Sequence, residues 1–276
     1  MTSPSARFRP LRLIALGACT LTLLINPIVT QAQSLTCWFA PEWKAKAEQA
    51  KKITDALSSG SGVEIKPRIA ESYPQILTAF DGQEQAVLYA GSFVQATLAA
   101  RGKTVVLAQG INGKELYAGV MIFPKGEDPA KLLTEAPEQI AYAVGASSGE
   151  SSAKAATGGK AAMGVVSHQA AANAVVAGKA RAAFVKNWWW DDNKEKFPTL
   201  DVNQAAGVSE QKNPDNVLAA SASVPEELRK KITDAAVAAK DAFGMKELTP
   251  CDQSRLQFSQ DLMRRAQIDP LKYEWK

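Results

Sequence analysis

The chain has 276 residues, with 32 basic against 28 acidic side chains, a formal net charge of +4, 46% apolar residues and a single histidine. That length builds one large domain or two modest ones around a sizeable core, and the near-balanced charge argues against nucleic acid or anionic lipid as the main partner. One histidine and three cysteines leave too few soft ligands for a zinc or copper site, so neither a metal nor a cofactor is expected.

The chain opens with Arg7, Arg9 and Arg12 among polar residues and no acid, continues as an apolar run over residues 13–25, and breaks at Asn26-Pro27 before "TQA". Residues 1–32 therefore read as a secretory signal peptide cut after Ala32, too short and wrongly flanked to stay as a membrane span. The alternative, a lipoprotein acylated at Cys19, leaves only four apolar residues ahead of the site, where a signal core usually has about 7 to 15. Removing the leader takes away three arginines and no acid, so 29 basic residues face 28 acidic ones. The mature chain is expected to be soluble and periplasmic. Cys37 and Cys251 survive processing and, in an oxidising compartment, read as one disulfide tying the last segment to the first strand. Two buried thiols are the alternative.

Beyond the leader, apolar runs of strand length alternate with alanine-rich helical stretches, the pattern of parallel strands with crossover helices, so the fold class is α/β. "LTCWFA" is the first strand. In residues 43–57, Trp43, Ala47, Ala50, Ile53 and Leu57 share one helical face with lysines opposite, and "SSGSG" reads as its stop. "VEIKPRI" is a second strand that Pro67 places near an edge. In "ESYPQILTAFDG", Ser72 is positioned to cap, Pro74 suits the first turn and Gly82 ends the helix. "QAVLYAG" is a third strand, and "SFVQATLAARG" a helix that again starts at a serine and ends at a glycine. "KTVVLAQG" and "LYAGVMIFP" follow as strands before "KGEDPAKLLTEAPEQ" interrupts the rhythm.

A second α/β rhythm begins at "IAYAVG" and runs through a serine cluster, a helix, "MGVVS", the helix "HQAAANAVVAG" and the strand "RAAFVKNWW". Residues 191–216 read as a loop and "VLAASAS" as a returning strand. A long amphipathic helix and a terminal helical segment over residues 251–276 complete the chain. The result is a two-lobed protein hinged around a cleft, with residues 33–121 and 216–276 in lobe 1 and residues 122–215 in lobe 2.

Four strand-to-helix junctions carry hydroxyls: Ser72-Tyr73, Ser92, Ser147-Ser148 and Ser167-His168. In a parallel sheet such junctions lie at the carboxyl ends of strands, where ligands bind. Each offers free backbone N–H groups and the positive end of a helix dipole, a combination that favours oxyanions. A lone serine there is ordinarily an N-cap, and that reading stays open for Ser72, Ser92 and Ser167. "SSGESS" holds more hydroxyls than one cap uses. Gly149 would let the backbone approach a ligand, while Glu150 suits an exposed first-turn acid. His168, in the first turn of its helix, is favoured in its neutral form and can donate to an anion. If the strand persists through Trp190, then Trp188 and Trp190 face one side and Trp189 the other, as cleft wall or as aromatic plug. Asn187 is the polar contact of that stretch. No glycine-x-serine-x-glycine elbow is present, so no catalytic residue is assigned and an enzyme is not expected.

The order of these pieces resembles the phosphate/phosphonate-type substrate-binding proteins of ABC transporters, with the type II periplasmic-binding-protein fold. The matching stretches are "SYPQILTAFDG", "VLYAGSFVQATLAARG", "YAVGASSGESS", "VVSHQAAANAVVAGKARAAFV" and "VLAASASVPEELRKKI", spanning most of residues 35–245. The resemblance implies Tyr73, Tyr89 or Ser92, Ser147, Ser148 and His168 as anion contacts. The turn "ASSG" has one hydroxyl fewer than the family pattern, and Lys179 and Arg181 stand where an aspartate is common. The ligand expected from this is a small oxyanion, phosphate, phosphite or a simple phosphonate, rather than an amino-bearing one. The partner expected is an ABC permease in the inner membrane, served by a monomeric receptor. The alternative is an exported binding protein of the same fold that presents its ligand to a sensor kinase or redox enzyme.

Overall fold

The computed structural model describes Met1, residues 34–82 and residues 84–275. The leader, the cut after Ala32 and Cys19 lie outside the described residues. Strand β1 (Ser34–Phe39) pairs in parallel with β2 (Glu64–Ile69) and β3 (Ala86–Ala90). Helix α1 (Ala47–Ser61) links β1 to β2, α2 (Tyr73–Asp81) links β2 to β3, and α3 (Ser92–Ala100) leads to β4 (Thr104–Ile111). A short β5 (Leu116–Tyr117) then carries the chain into a second sheet. There follow β6 (Gly119–Pro124), α4 (Pro129–Glu135), β7 (Ile140–Ala143), α5 (Ser152–Ala156), β8 (Met163–Val165), α6 (His168–Val176), β9 (Ala182–Lys186), α7 (Asn187–Asn193) and β10 (Leu200–Asn203). Strand β11 (Asn213–Pro214) pairs antiparallel with β5, and the chain returns as β12 (Val217–Ser221), α8 (Glu226–Ala238), β13 (Glu247–Pro250) and α9 (Gln257–Arg265). Among the described residues no helix is long and apolar enough to cross a membrane.

The first sheet has the order β13-β4-β12-β3-β1-β2 and the second β10-β6-β9-β7-β8. Both are mixed rather than purely parallel. The returning β12 inserts antiparallel between β3 and β4, and β6 runs antiparallel to β9. A strand buried on both faces is apolar throughout, so its composition carries no mark of direction. Pro67 does fall on the edge strand β2, opposite Cys37, where its missing N–H costs no ladder bond.

Helix α1 ends within the expected stop, at its last residue Gly62, whose φ of 74° is the left-handed cap. Gly60 inside it is explained by packing, since a β-carbon there would lie 2.6 Å from the Ala235 side chain on α8. The stretch "LYAGVMIFP" is split at Ala118 into β5 and β6, which belong to different sheets. Residues 191–216 are not a loop: they contain the end of α7, β10 and β11. Neither short strand alternates cleanly enough to show in sequence.

The core of the first sheet is aromatic, with Trp38, Phe39, Phe80, Tyr89 and Phe243 almost fully buried. The second sheet is packed by small residues, Ala141, Ala171, Ala172 and Ala183, closed by Trp190 and Phe197.

The disulfide expected between Cys37 and Cys251 is not formed, and both cysteines are free. Cys37 lies on β1, and Cys251 follows β13 directly, its N–H bonded to Leu107 O on β4 at 3.1 Å. Strands β4, β12 and β3 stand between β13 and β1, so the two backbones are roughly 19 Å apart at the usual strand spacing. A disulfide spans at most about 7 Å between α-carbons. Burial pushes the Cys37 thiol well above its ordinary range and the Cys251 thiol up to about 11.

Candidate functional site

One cavity of about 570 Å³ collects the helix entries from both sheets: Tyr73 on α2, Gly91 and Ser92 on α3, Ser147 and Ser148 after β7, and Ser167 and His168 on α6. The order of elements makes this possible. Each of these junctions follows a parallel strand, so each helix begins at the same end of its sheet.

The hydroxyls are wired in sequence. Ser92 Oγ donates to Ser147 Oγ at 3.0 Å, joining the first-sheet wall to the second. A serine has one proton, so the 2.6 Å contact between Ser92 and Tyr117 is donated by the tyrosine hydroxyl. The chain runs Tyr117 to Ser92 to Ser147, and its last member, Ser147, lines the cavity. Burial keeps Tyr117 protonated, with its phenol well above the ordinary range.

The serine turn is a five-residue π-helical turn, Ser147–Ser151, leading into α5. Such wide turns recur at functional sites. Its three hydroxyls and that of Ser152, the first residue of α5, divide the work. Ser147 and Ser148 line the cavity, Ser152 braces the turn by donating to Ser147 O at 2.7 Å, and Ser151 Oγ is buried with no hydrogen-bond partner among the described residues. Gly149 does not serve ligand approach. A β-carbon there would meet the Ala143 backbone at 2.7 Å, so the glycine lets the turn close onto β7.

Glu150 is not the solvent-facing acid expected of a first turn; it is 3% exposed. Its carboxylate accepts from Gly145 N at 2.8 Å and Tyr273 Oη at 2.6 Å, and pairs with Lys154 Nζ at 2.6 Å. Buried charge at a turn is stable only when compensated in this way.

His168 lies 3.3 Å from Ser148 Oγ through Nε2, while Nδ1 is buried without a partner among the described residues. The tautomer protonated at Nε2 leaves no buried N–H unpaired. Burial, followed by the nearby Lys186 charge, lowers the imidazole to about 4, so the ring is neutral at physiological pH. Ser167 is an ordinary N-cap, accepting from Ala170 N at 3.1 Å.

Lys186, at the end of β9, pairs with Asp215 at 2.7 Å and sits 4.4 Å from the ring centres of both Tyr117 and Trp188. Both charged groups line the cavity, as do Glu42 and Lys46. Glu42 accepts from Tyr73 Oη at 3.0 Å. Sequence reading missed Glu42, in the short 3-10 turn after β1, Lys186, which directly precedes α7, and Tyr117 and Asp215, which lie at the crossover strands away from any helix entry. The available signal was a lysine closing an otherwise apolar strand.

Three expected site residues stand elsewhere. Tyr89 is 1% exposed and packed edge-on against Phe39, Trp43 and Phe243 in the core of the first sheet. It alternates with Leu88 along β3, and its parity points away from the cavity. Asn187 is turned to the crossover segment, accepting from Ala118 N at 3.1 Å while its own N–H donates to Ala118 O. Trp188 does not line the cavity but backs Lys186. The tryptophans are helical rather than extended, because α7 begins at Asn187. Trp190 is accordingly buried against Phe197, Trp189 lies near His168, and Trp188 lies beside Tyr117. Among the described residues no group of three or more histidine, cysteine or acidic side chains is arranged to hold a metal ion.

Two mixed sheets joined by two crossings, with helix entries from both meeting at one cavity, define a type II periplasmic-binding fold. Residues 44–261 match the family described as "ABC transporter, phosphonate, periplasmic substrate-binding protein". The chain belongs to that family. Its fold is similar to PhnD1 from Prochlorococcus marinus, solved in complex with methylphosphonate, at 16% identity and TM-score 0.65 over 86% of this chain and all of that one. A Xanthomonas citri protein solved with ATP aligns at 13% identity and TM-score 0.66, over 85% of this chain and 97% of that one. The binding component of a phosphonate transporter from Pseudomonas aeruginosa aligns at 13% identity and TM-score 0.60, over 86% and 87% of the two chains. No curated protein matches the sequence significantly.

Proposed function

We propose that this protein captures a small oxyanion, phosphate, phosphite or a simple phosphonate, between its two lobes and delivers it to an ABC permease. The supporting observation is the hydrogen-bond chain from Tyr117 through Ser92 to Ser147, which brings hydroxyls from both sheets to one point on the cavity wall. Ser147, Ser148 and neutral His168 on one side, with Ser92 and Tyr73 on the other, are the proposed contacts; Ser92, Tyr73 and His168, whose protons point to Ser147, Glu42 and Ser148 in this structure, turn them to the ligand on binding. Neutral donors of this kind select by number and geometry, because a ligand with too few oxygens leaves buried groups unpaired. Glu42 and Asp215 supply acceptors for a protonated oxygen of the ligand, and Lys186 supplies one cation, itself balanced by Asp215.

The proposed lobes are residues 34–117 with 217–250 and residues 119–203, with α9 packed on both and a hinge where β5 and β11 pair. Family membership favours a permease over a sensor kinase or redox enzyme as the partner. On this reading the mature chain starts at Gln33 and works in the periplasm as a monomer. Calorimetric titration of ligand-free protein with phosphate, phosphite and methylphosphonate tests it. One-site binding to at least one of them is expected, with sulfate weaker. No heat from any of the three contradicts it.

A further inference from the structure

We propose that residues 266–275 form a brace that positions both walls of the cleft for the ligand, with Tyr273 and Trp275 as its positioning residues. This rests on the cleft being the ligand site. The segment lies beyond the span matched by the family, which ends at residue 261. It is nonetheless firmly seated. Met263, Ala266 and Ile268 are buried against Phe93 and Ala96 of α3, and Ala155 of α5 packs on the same cluster. Arg101 at the end of α3 donates to two carbonyls of the segment, Pro270 O and Tyr273 O, each at 2.9 Å. Gln267 donates to Gly158 O beyond α5 at 2.9 Å.

From that seat two aromatic side chains reach the site from behind. Tyr273 donates to Glu150 Oε2 at 2.6 Å, the same oxygen that accepts the Gly145 N–H at 2.8 Å. It therefore completes the support of the residue that opens the serine turn. Trp275 stacks on Tyr73 with ring centres 5.3 Å apart and an interplanar angle of 20°, and packs edge-on against Phe93 at 5.5 Å. Its indole also presses on Gly145, where any β-carbon would collide with the ring nitrogen. Gly145, at φ 71°, thus has two reasons to be glycine. Tyr73 and Gly145 line the cavity from opposite walls, while Tyr273 and Trp275 do not. One segment therefore sets the spacing between a first-sheet contact and the second-sheet turn, and preorganised donors hold a ligand more tightly than donors that must be ordered on binding.

The test uses Tyr273→Phe, Trp275→Ala, Trp275→Phe and a chain ending after Ile268, which keeps the buried plug. Methylphosphonate release measured by stopped flow is expected to quicken about fivefold in Tyr273→Phe and about tenfold in Trp275→Ala, with Trp275→Phe within about twofold of wild type. Release rates unchanged in the shortened chain overturn the proposal. Hydrogen exchange on ligand-free protein provides a readout that needs no ligand. The Gly145 amide and the helix-bonded amides of residues 76–79 are expected to exchange faster in the shortened chain, with the rest of the protein unchanged. Unchanged protection there, or faster exchange confined to α3 and α9, overturns it. Absence of methylphosphonate binding by wild type would strike the cleft assignment instead, and the exchange result would still decide the brace.

Discussion

The wall of the cleft at α3 and the wall at the serine turn meet through a single hydrogen bond, Ser92 to Ser147, yet they are held in place differently. Ser92 sits at the start of a helix buried on two sides, with Val94 against the aromatic core and Phe93 against the C-terminal segment. Its position is fixed by packing. The serine turn is also buried, closing on β7 through Gly149, but it depends in addition on polar contacts that converge on Glu150 and on Ser152 bonding back to Ser147. A packed wall resists change through its volume, and a hydrogen-bonded wall through the pairing of each polar group. Ligand affinity and fold stability should therefore separate more cleanly in the second wall than in the first.

The largest effect that sharpens this contrast is on affinity. Ser147→Ala combined with Ser148→Ala is expected to weaken oxyanion binding about a hundredfold or more, with a smaller loss of stability, about 1–3 kcal/mol, because Ser92 and His168 lose buried partners. Equal affinity in calorimetry would remove both residues from the site.

The next is a pH effect on stability. An imidazole titrates near 6.5 when unfolded and is held to about 4 in the folded protein at His168. Between those values the unfolded state binds more protons, so stability falls as pH drops from about 6.5 to about 4, by roughly 3 kcal/mol. Urea titrations across that range are expected to show this slope in wild type and to lose most of it in His168→Gln. An identical slope in both would mean that the ring is not buried as neutral.

A smaller loss is expected from Glu150→Ala, which leaves the Gly145 N–H without its acceptor and Lys154 without its partner. Lys154 is still 23% exposed and water offsets part of that cost, so the loss should be about 2 kcal/mol by chemical denaturation. Affinity should drop with it, because the turn loses its hub. A variant that is destabilised but binds as wild type would break the link between Glu150 and the donors. The smallest effect is a mass change alone. Both Cys37 and Cys251 should alkylate in denaturant without reductant, whereas resistance at both would restore the disulfide.

Much of this fold was legible in the sequence because strand and helix periodicities, and the serine or glycine at each junction, are local signals. The helix entries at Tyr73, Ser92 and His168 were readable for that reason. What was not legible depends on tertiary direction and distance. Buried β12 gives no hint that it runs antiparallel between β3 and β4. Cys37 and Cys251 look like a pair until four strand steps intervene. Tyr89 looked like a ligand residue because it precedes a helix entry, but its place on β3 points it into the core. Glu150 looked solvent-facing because its partner Tyr273 lies 123 residues away.

The central claim is that donors from both sheets hold one anion. Methylphosphonate affinities of wild type, Ser92→Ala, Ser147→Ala and the double variant, measured by calorimetry, test it most directly. The prediction is at least a tenfold loss in each single variant and a double loss smaller than the product of the two, since the residues share one ligand and one hydrogen bond. Wild-type affinity in either single variant would contradict it.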